Sequence, residues 1–432
     1  MSQMRRGEMI MKKLTVSIIG CGNRGYQYGS LMKKREEFEI VAVCDHNSKQ
    51  VEKINQLLHL PKENTFLEER EFFVKKRSDL LVLATCDTDH VRQCIRAMEL
   101  GYDVLLEKPI SDNREEIDRL LQKQKETGCR VIVCHVLRYS VWLRKLDELL
   151  KSGVIGNLLA VDHMERVQYW HFVQAYVRMH KLYFGKIHPT ILAKCCHDLD
   201  LIQHFAGSKC TSVTSVGGLR HFRPENAPEG ATQRCVDCPN CDTCTYSAKK
   251  IYIDEWIKQG CPEFRWPWNK IDLRNPNTQE GLYRAIREGV YGECVFGCET
   301  YRDVHAVDHQ MVQMQFENGV IASLKMVFGA LPGRRVDLYG TEGQITFDEI
   351  YNTIEVKPYI GAHEVIAVSE LSSLFGGHGG GDEGLISDLY EILSGKKTEY
   401  TSIEESLESH LIGICAEESR INGGMRVFVH GS

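Results

Sequence analysis

The sequence predicts an α/β protein in which an N-terminal, doubly wound parallel sheet is followed by a second α/β domain with a largely antiparallel open sheet. Three observations lead to this prediction. Short apolar runs alternate with helix-length segments up to about residue 135, and a glycine-rich turn follows the first of these runs. Strand patterns without intervening helices return after about residue 310. At 432 residues the chain is long enough for two domains with separate cores.

The first apolar run, Leu14 to Ile19, leads into GCGNRG, which places glycines at positions 20, 22 and 25. The run predicts a buried strand, and Tyr26 to Lys34 predicts a helix. At such a strand-to-helix turn, Gly20 makes the turn, Gly22 lets the backbone approach a pyrophosphate, and Gly25 lets helix and strand pack together. The helix N-terminus then offers backbone N–H groups to the phosphates.

The next predicted strand, Phe38 to Cys44, leads directly into Asp45, twenty residues after Gly25. This separation fits the acid that binds the adenosine ribose hydroxyls in dinucleotide-binding folds. A carboxylate at this point repels the 2′-phosphate of NADP, and His46 and Asn47 follow it without an Arg that would neutralise that phosphate. The sequence therefore predicts NAD, and not NADP, as the cofactor.

The remaining elements follow from the same patterns. Downstream of Asp45 we predict helices at 47–58, 90–100 and 114–127 and strands at 80–85, 103–106 and 130–134, which together define a first domain of residues 12–135. The second domain, residues 136–432, begins with a helix at 142–152. Its strands are predicted at 310–316, 320–328, 335–339, 344–348 and 353–357, and an irregular insertion occupies about 220–299.

Charge and hydropathy exclude several classes of partner. The formal net charge is −6, so the chain has no overall basic character for binding nucleic acid or an anionic membrane. Residues 1–13 contain charges but no apolar run typical of a signal peptide, and no stretch of the chain is apolar over the roughly 18 residues that a membrane span requires. We therefore expect a cytoplasmic protein that binds neither nucleic acid nor a membrane.

Four motifs together make the sequence resemble the Gfo/Idh/MocA family of NAD(P)-dependent sugar oxidoreductases. They are GCGNRG at 20–25, ATCDTDH at 84–90, LEKPIS at 106–111 and HDLDL at 197–201. The resemblance implies a Rossmann domain, a second α/β domain whose open sheet often serves in oligomer formation, and a small carbohydrate substrate. We expect a homodimer or homotetramer. The candidate cofactor-binding residues are Gly20, Gly22, Asn23, Arg24, Asp45, Thr85, His90, Glu107, Lys108 and Arg138.

Lys108 is the first candidate catalytic residue. It follows a predicted parallel strand and precedes the turn-forming Pro109, so it stands in the crevice where ligands bind such sheets. A lysine there can bridge the nicotinamide ribose and take the proton of the reacting hydroxyl. The resemblance implies the same role, and it implies that Glu107 holds the neighbouring part of the cofactor.

His197 is the second candidate catalytic residue. Apolar positions in CCHDLDLIQHF recur at helical spacing, which places His197 at the start of a helix. From there its side chain can point into the cleft. A lone His at a helix start is also commonly a cap or packing residue. Many members of the family carry an Asp four residues earlier, where this chain has Ala193. Lys194 is the candidate replacement, and Asp198, beside the histidine, is a candidate substrate-binding residue.

The segment 166–180, RVQYWHFVQAYVRMH, concentrates aromatic, His and Arg side chains that stack on sugar faces or bond hydroxyls and carboxylates. Core packing is the alternative for its aromatic residues. His171 is also a candidate acid or base. His378, in FGGHGGGD at 375–382, suits a loop that closes on a ligand or a plain flexible linker. The candidate substrate-binding residues of these two segments are Tyr169, Trp170, His171, Arg178, His180 and His378.

The insertion contains CVDCPNCDTC, which places four of the 17 cysteines at uniform spacing: Cys235, Cys238, Cys241 and Cys244. Two C-x-x-C pairs in ten residues predict a bound metal, and we expect a structural zinc that folds a segment short of core. Because four ligands in one tight loop would strain a tetrahedral site, Cys294 or Cys298 of ECVFGC is a possible remote ligand. An iron–sulfur cluster and reduced thiols without metal are the alternatives.

Two reactions are compatible with these residues. In the first, an NAD-dependent dehydrogenase or reductase transfers a hydride between a sugar or polyol hydroxyl and NAD. In the second, a redox-neutral glycosidase oxidises a sugar hydroxyl, eliminates an aglycone, adds water and returns the hydride. Ala193 in place of the Asp leaves room for the second reaction. A non-catalytic NAD-binding regulator is disfavoured, because EKP and HDLDL are both intact.

Overall fold

The computed structural model describes residues 13–179, 189–261, 267–268, 271, 278–297, 305–329, 331–371 and 377–431. The chain divides into two compact units. The first comprises Met1–Ser152 and Val368–Leu411, and the second comprises Gly153–Ala367 and Ile412–Ser432. Within the described residues, no helix has the length and apolar character needed to cross a membrane.

The first unit contains a six-stranded sheet in which all neighbouring strands are parallel. Its strands are β1 (Leu14–Ile19), β2 (Phe38–Cys44), β3 (Thr65–Phe66), β4 (Leu80–Leu83), β5 (Asp103–Leu106) and β6 (Val131–Val133). Its helices up to residue 151 are α1 (Asn23–Lys33), α2 (Ser48–Leu58), α3 (Glu69–Phe72), α4 (Asp87–Glu99), α5 (Arg114–Thr127) and α6 (Val141–Lys151). The spatial order β3-β2-β1-β4-β5-β6 confirms the predicted doubly wound sheet.

The second unit is built around a nine-stranded sheet. Its elements are β7 (Leu158–Val167), α7 (Tyr169–Phe172), α8 (Thr190–Ala206), β8 (Cys210–Gly218), α9 (Glu255–Lys258), α10 (Gln279–Glu288), β9 (His309–Phe316), β10 (Ile321–Phe328), β11 (Gly333–Gly340), β12 (Gly343–Asp348), β13 (Thr353–Pro358), β14 (Glu364–Ala367) and, at its edge, β15 (Val427–Phe428). The sheet order is β14-β13-β12-β11-β7-β10-β9-β8-β15. The pair β7–β10 is parallel and the other pairs are antiparallel, which confirms the predicted largely antiparallel sheet.

The chain returns to the first unit after β14. Helix α11 (Gly381–Leu393) follows there, and α12 (Ile403–Ile421) passes from the first unit into the second. Leu385 and Leu389 of α11 are fully buried in the same apolar core as Ile18 of β1 and Leu105 of β5. The first unit therefore includes residues far beyond the predicted segment 12–135, because the apolar face of α11 is buried against its sheet.

We expect Leu389→Ala to lower the free energy of unfolding by about 2–5 kcal/mol, because it removes a fully buried side chain and leaves a cavity. Denaturant unfolding followed by circular dichroism measures the change. Ser387→Ala, at an exposed position of the same helix, is the matched control and should change stability by less than about 0.5 kcal/mol. Equal stabilities of the two variants would contradict the packing of α11 in this core.

Candidate functional site

The glycine-rich turn after β1 has the backbone geometry that its sequence predicts. Gly20 has φ +90°, and a Cβ at this residue would lie 2.4 Å from the carbonyl oxygen of Ala84. A Cβ on Gly25 would lie 1.9 Å from the carbonyl oxygen of Gly20, so only glycine permits this approach of α1 to the turn. Gly22, the N-cap of α1, faces open space on its Cβ side. The turn therefore leaves room for a ligand at the N-terminus of α1.

Asp45 lies at the carboxyl end of β2, against this turn. Its Oδ2 accepts a hydrogen bond from the backbone N–H of Cys21 at 2.7 Å, and its Oδ1 accepts one from that of Asn47 at 2.8 Å. About 10% of its side chain is exposed. The carboxylate is thus held beside the glycine turn, as a ribose-binding acid requires.

Glu107, at the end of β5, forms the centre of a buried polar cluster. Its Oε1 accepts hydrogen bonds from Arg24 Nε at 2.6 Å and from the Tyr28 hydroxyl at 2.6 Å. Its Oε2 accepts from the backbone N–H of Lys108 at 3.1 Å. Burial alone raises the pKa of Glu107, but the positive charges of Arg24 and Lys108 lower it below its ordinary value. Glu107 is therefore an ionised, fully engaged carboxylate beneath the Lys108 backbone.

Arg24 joins this cluster to the chain's return segment. Its NH2 group donates to Asp382 Oδ1 at 2.7 Å, at the start of α11. His378 contacts the other carboxylate oxygen of Asp382 through Nδ1 at 3.0 Å, and 42% of the His378 side chain is exposed. Arg24, predicted at the cofactor, thus binds two carboxylates of the protein. His378, predicted to bind substrate, pairs with Asp382 here.

Two histidines hold the loop that follows Lys108. His90 Nδ1 lies 2.8 Å from the carbonyl oxygen of Pro109, and its Nε2 lies 3.3 Å from that of Thr85. Burial lowers the pKa of His90. The neutral ring has one N–H, so it donates to only one of these two carbonyl oxygens, and the contact with Pro109 is the shorter one. From α12, His410 Nε2 accepts a hydrogen bond from the backbone N–H of Ile110 at 2.9 Å. The loop is held from two sides, while Lys108 itself is partly exposed.

The other predicted cofactor residues of this unit also lie in the loops that follow its strands. Thr85 follows β4, and its hydroxyl donates a hydrogen bond to Gln93 Oε1 at 2.6 Å. Arg138 follows β6, and its NH2 group lies 3.3 Å from Glu405 Oε2. In an open parallel sheet, ligands bind outside the carboxyl ends of the strands. Both residues are therefore on the side of the sheet where a dinucleotide binds.

In the second unit, Asp198 is fully buried between α8 and the sheet. Its Oδ1 lies 2.8 Å from His163 Nε2 on β7 and 2.8 Å from Arg334 Nε on β11. Burial alone raises its pKa, but the charge of Arg334 and the hydrogen bond from His163 hold the pKa well below the ordinary value. Asp198, predicted to bind substrate, thus joins α8 to β7 and β11 through Oδ1.

Lys194 lies one helical turn before Asp198 and is fixed in the same way. Its Nζ is 2.8 Å from Glu165 Oε1, and Arg334 NH2 is 2.9 Å from the other oxygen of Glu165. His197, between these two positions on α8, has about 6% of its surface exposed. Lys194, predicted as a catalytic residue, thus holds the buried carboxylate of Glu165 on β7.

The aromatic segment begins with α7. Tyr169, Trp170 and His171 are each partly exposed, and the ring of Tyr169 lies 6.3 Å from that of Tyr246 in an edge-on arrangement. Arg178 is 1% exposed, and it donates to the carbonyl oxygens of Tyr246 and Glu293 at 2.6 and 3.0 Å. Those contacts occupy the guanidinium predicted to bind substrate. His180 lies outside the described residues.

The four cysteines of the motif lie around one small cavity. Cys294 lines the same cavity, whereas Cys298 lies outside the described residues. Among the residues that the structure describes, no three or more His, Cys, Asp or Glu side chains converge in an arrangement that could hold a metal ion. The predicted zinc therefore stays a prediction.

A six-stranded parallel sheet in this order, with a glycine turn at α1 and an acid after β2, defines a dinucleotide-binding domain of the oxidoreductase type. Comparison with protein families agrees. The family model described as "Oxidoreductase family, NAD-binding Rossmann fold" matches residues 14–135, and that described as "Oxidoreductase family, C-terminal alpha/beta domain" matches residues 147–427. The chain belongs to the Gfo/Idh/MocA family of NAD-binding oxidoreductases.

Among curated proteins, YteT of Bacillus subtilis, named as an oxidoreductase, is 25% identical over 421 residues, covering 90% of this chain and 93% of that protein. The 2,7-anhydro-N-acetylneuraminate hydratase of Mediterraneibacter gnavus is 29% identical over 211 residues, 48% of this chain and 53% of its own length. The corresponding hydratase of Escherichia coli is 24% identical over 292 residues, 66% of this chain and 71% of its own length.

Solved structures share the fold. The WlbA dehydrogenase from Bordetella pertussis, in complex with NADH and UDP-GlcNAcA, has a TM-score of 0.67 at 16% identity, covering 96% of this chain and 98% of its own. Apo scyllo-inositol dehydrogenase from Lactobacillus casei has a TM-score of 0.66 at 13% identity, covering 98% of this chain and all of its own. At these identities the likeness concerns the fold.

The partners of the predicted residues were not evident from the sequence. Glu165 and Arg334 lie directly opposite each other on β7 and β11, a pairing that depends on sheet register. Asp382 and His410 reach the first unit only because the chain returns to it. The adjacent charged residues in MERV and GRRVD were the available signal, since two neighbouring residues of a strand face opposite sides and an inward-facing charge requires a partner.

We expect Asp382→Asn to lower the free energy of unfolding by about 2 kcal/mol at pH 7, with a smaller loss at low pH. Burial alone raises the pKa of Asp382, but hydrogen bonds from His378 and Arg24 lower it from 3.8 to about 2. A carboxyl group whose pKa is lowered by folding stabilises the folded protein at pH values above its ordinary pKa. That stabilisation is lost as the pH falls from about 4 towards 2. The difference between the proteins should therefore shrink to about half near pH 3.

Urea unfolding at pH 7, 5 and 3 measures this difference. Asp118→Asn, at an exposed position of α5, is the control and should have little effect at any of these pH values. A loss for Asp382→Asn that is the same at pH 7 and pH 3 would contradict the ionic role of Asp382.

Proposed function

We propose that this chain is an NAD-dependent dehydrogenase or reductase that transfers a hydride between a hydroxyl of a sugar or polyol and NAD. The supporting observation is the loop after β5, where Lys108 follows an engaged Glu107 and the loop backbone is held by His90 and His410. The two dehydrogenases of similar fold, one with a bound nucleotide sugar and one named for an inositol, support a carbohydrate-type substrate.

The residues around the glycine turn fit the proposed cofactor. Gly22 leaves space at the N-terminus of α1 for the pyrophosphate, and Asp45 is held where it can accept from the ribose hydroxyls. Asn23, Thr85 and Arg138 lie on the same side of the sheet as further candidate contacts. Arg24 and Glu107 act on the cofactor indirectly, since their side chains bond each other. Bound NAD supplies the hydride acceptor.

In the proposed reaction, Lys108 contacts the reacting hydroxyl and receives its proton. An amine can accept a proton only when it is neutral. Exclusion of water around Lys108 would disfavour the charged ammonium form and so favour the reaction. His197 is the proposed second acid or base, and Lys194 is assigned to holding Glu165 instead. Tyr169, Trp170 and His171 are proposed to contact the sugar, with His171 as a further candidate acid or base.

A redox-neutral glycosidase is the second candidate function. Relatives named as 2,7-anhydro-N-acetylneuraminate hydratases, which match about half to two thirds of this chain, favour it. Ala193 also occupies the position of an expected carboxylate, and neither Glu165 nor Asp198 replaces it, because both are bound to basic side chains. We prefer the dehydrogenase, because these observations do not identify a pocket for an aglycone.

Assembly and location are further proposals. We propose a homodimer or homotetramer that forms through the open face of the nine-stranded sheet. Val216, Ile321 and Val365, on β8, β10 and β14, are each more than half exposed. Apolar side chains spread over a sheet face favour association with another protein surface. We also propose a cytoplasmic location. The predicted structural zinc also belongs among these proposals.

We expect the protein to bind NAD at least about tenfold more tightly than NADP, because Asp45 repels the 2′-phosphate. Asp45→Asn should narrow this preference by removing the charge, whereas Asp45→Glu, the matched control, should keep it. Calorimetric titration of each protein with NAD and with NADP measures the preference. Equal affinities in the unaltered protein would rule out the proposed role of Asp45.

We expect Lys108→Met to reduce the rate of turnover about 10²-fold or more while NAD binding is largely unchanged, because the variant lacks the proton acceptor. Lys125→Met, at an exposed position near the end of α5, is the control and should retain full activity. The assay screens free sugars and polyols with excess NAD by absorbance of reduced nicotinamide. Near-normal turnover by Lys108→Met would refute the proposed site.

The products of turnover distinguish the two reactions. A dehydrogenase accumulates NADH with each turnover. A redox-neutral glycosidase cleaves an aryl glycoside with catalytic NAD and without net NADH, and it incorporates solvent deuterium at the carbon beside the oxidised one. Glycoside cleavage of this kind, without NADH formation from any free sugar, would replace the dehydrogenase with the second candidate.

A further inference from the structure

The cysteine-rich insertion of the second unit encloses a cavity of about 20 Å³, roughly the space of one small ion or water molecule. Five cysteines line it: Cys235, Cys238, Cys241, Cys244 and Cys294. The other lining residues are Pro228, Ala231, Thr232, Asn240, Tyr246, Ser247, Val295 and Phe296. None of these carries a carboxylate or an imidazole. Apart from neutral hydroxyl and amide oxygens, the possible metal ligands around the cavity are thus thiols, which favour soft metal ions.

Backbone pairing brings Cys294 to the motif from a distant part of the sequence. Arg234 and Glu293 form an isolated antiparallel bridge, and the N–H of Cys294 donates to the carbonyl oxygen of Gln233 at 2.9 Å. Within the motif, the N–H of Cys238 donates to the carbonyl oxygen of Cys235 at 3.3 Å, which forms a tight turn. These contacts place Cys294 beside the first C-x-x-C pair.

A buried cation lies against these thiols. The NH2 group of Arg178 is 3.5 Å from the Cys235 sulfur, and the side chain is 1% exposed. The same guanidinium donates to the carbonyl oxygens of Tyr246 and Glu293, which neighbour Cys244 and Cys294 in the sequence. Arg178 therefore joins three cysteine-bearing segments and supplies a positive charge where thiolates would form.

Cys241 differs from the other four cysteines. Its sulfur lies 3.5 Å from the Ser247 hydroxyl, and its neighbouring charge is Lys249. The other four cysteines lie on segments that are joined by the Arg234–Glu293 bridge, the Cys235–Cys238 turn and the contacts of Arg178. Cys241 lies at the side of this group and contacts Ser247.

We propose that Cys235, Cys238, Cys244 and Cys294 bind one zinc-type divalent cation that stabilises the insertion. Four thiols release four protons to solvent and form four metal–sulfur bonds, so the site carries a net charge of −2, which Arg178 partly offsets. The sulfurs do not converge in the described structure. Binding therefore requires the sulfurs to move toward the shared cavity.

Metal content and cobalt binding test this proposal on the full-length protein. Elemental analysis of protein purified without chelator should find about one zinc per chain. After removal of the metal, titration with Co²⁺ should produce thiolate-to-cobalt absorption that saturates at one equivalent. Cys244→Ser and Cys294→Ser should each weaken Co²⁺ binding at least about tenfold. Cys241→Ser, the matched control from the same motif, should bind Co²⁺ as the unaltered protein does.

A second measurement does not depend on the folding of the variants. In the unaltered protein, bound zinc should protect four thiols from a thiol reagent, and a chelator should expose them together with protease cleavage within 220–297. Loss of binding in Cys241→Ser with normal binding in Cys294→Ser would overturn the ligand set. Absence of metal with no Co²⁺ uptake, or the iron and sulfide of a cluster, would overturn the zinc site. These readouts need no substrate, so they are independent of the proposed oxidoreductase activity.

Discussion

The buried carboxylate of Glu107 is the constraint on which the first unit depends. An ionised group with about 5% of its surface exposed is stable only when its charge and hydrogen bonds are satisfied. Arg24 from the glycine turn and Tyr28 from α1 supply this, and Asp382 from α11 binds the other side of the Arg24 guanidinium. One charged network therefore connects the dinucleotide turn, the end of β5 and the returning chain. Lys108 follows Glu107 directly, so the backbone of the proposed catalytic residue is positioned by the same network.

The second unit uses the same kind of interaction to position α8. Each of two buried carboxylates there contacts two basic groups. Glu165 contacts Lys194 and Arg334. Asp198 contacts His163 and Arg334. Removing one member would leave an uncompensated charge in the interior, which is far more costly than losing an exposed pair. This network gives Lys194 and Asp198 of α8 partners within the protein. His197 on the same helix is left as the candidate for chemistry.

The cysteine insertion shows how parts of one segment that lie far apart in the sequence are joined. Its distant parts are joined by the backbone bridge between Arg234 and Glu293 and by the buried side chain of Arg178. These contacts lie around a small cavity that is lined by cysteines. The role of Arg178 is difficult to predict from the sequence. Arginine in an aromatic run suits carbohydrate recognition, and it suits equally the neutralisation of negative charge among cysteines. The bonds it makes to the insertion favour the second role.

The sequence by itself determined the parallel sheet, the dinucleotide turn, Asp45 and the position of Lys108, because each depends on local spacing within a few residues of a strand end. It also predicted the largely antiparallel second sheet from strand patterns with few helices between them. Only the tertiary structure decided that 368–411 belongs to the first unit, that Asp198 is enclosed by His163 and Arg334, and that Cys294 joins the motif cysteines. Those contacts join residues tens to hundreds of positions apart, and their partners are set by sheet register and chain return, which local sequence patterns do not encode.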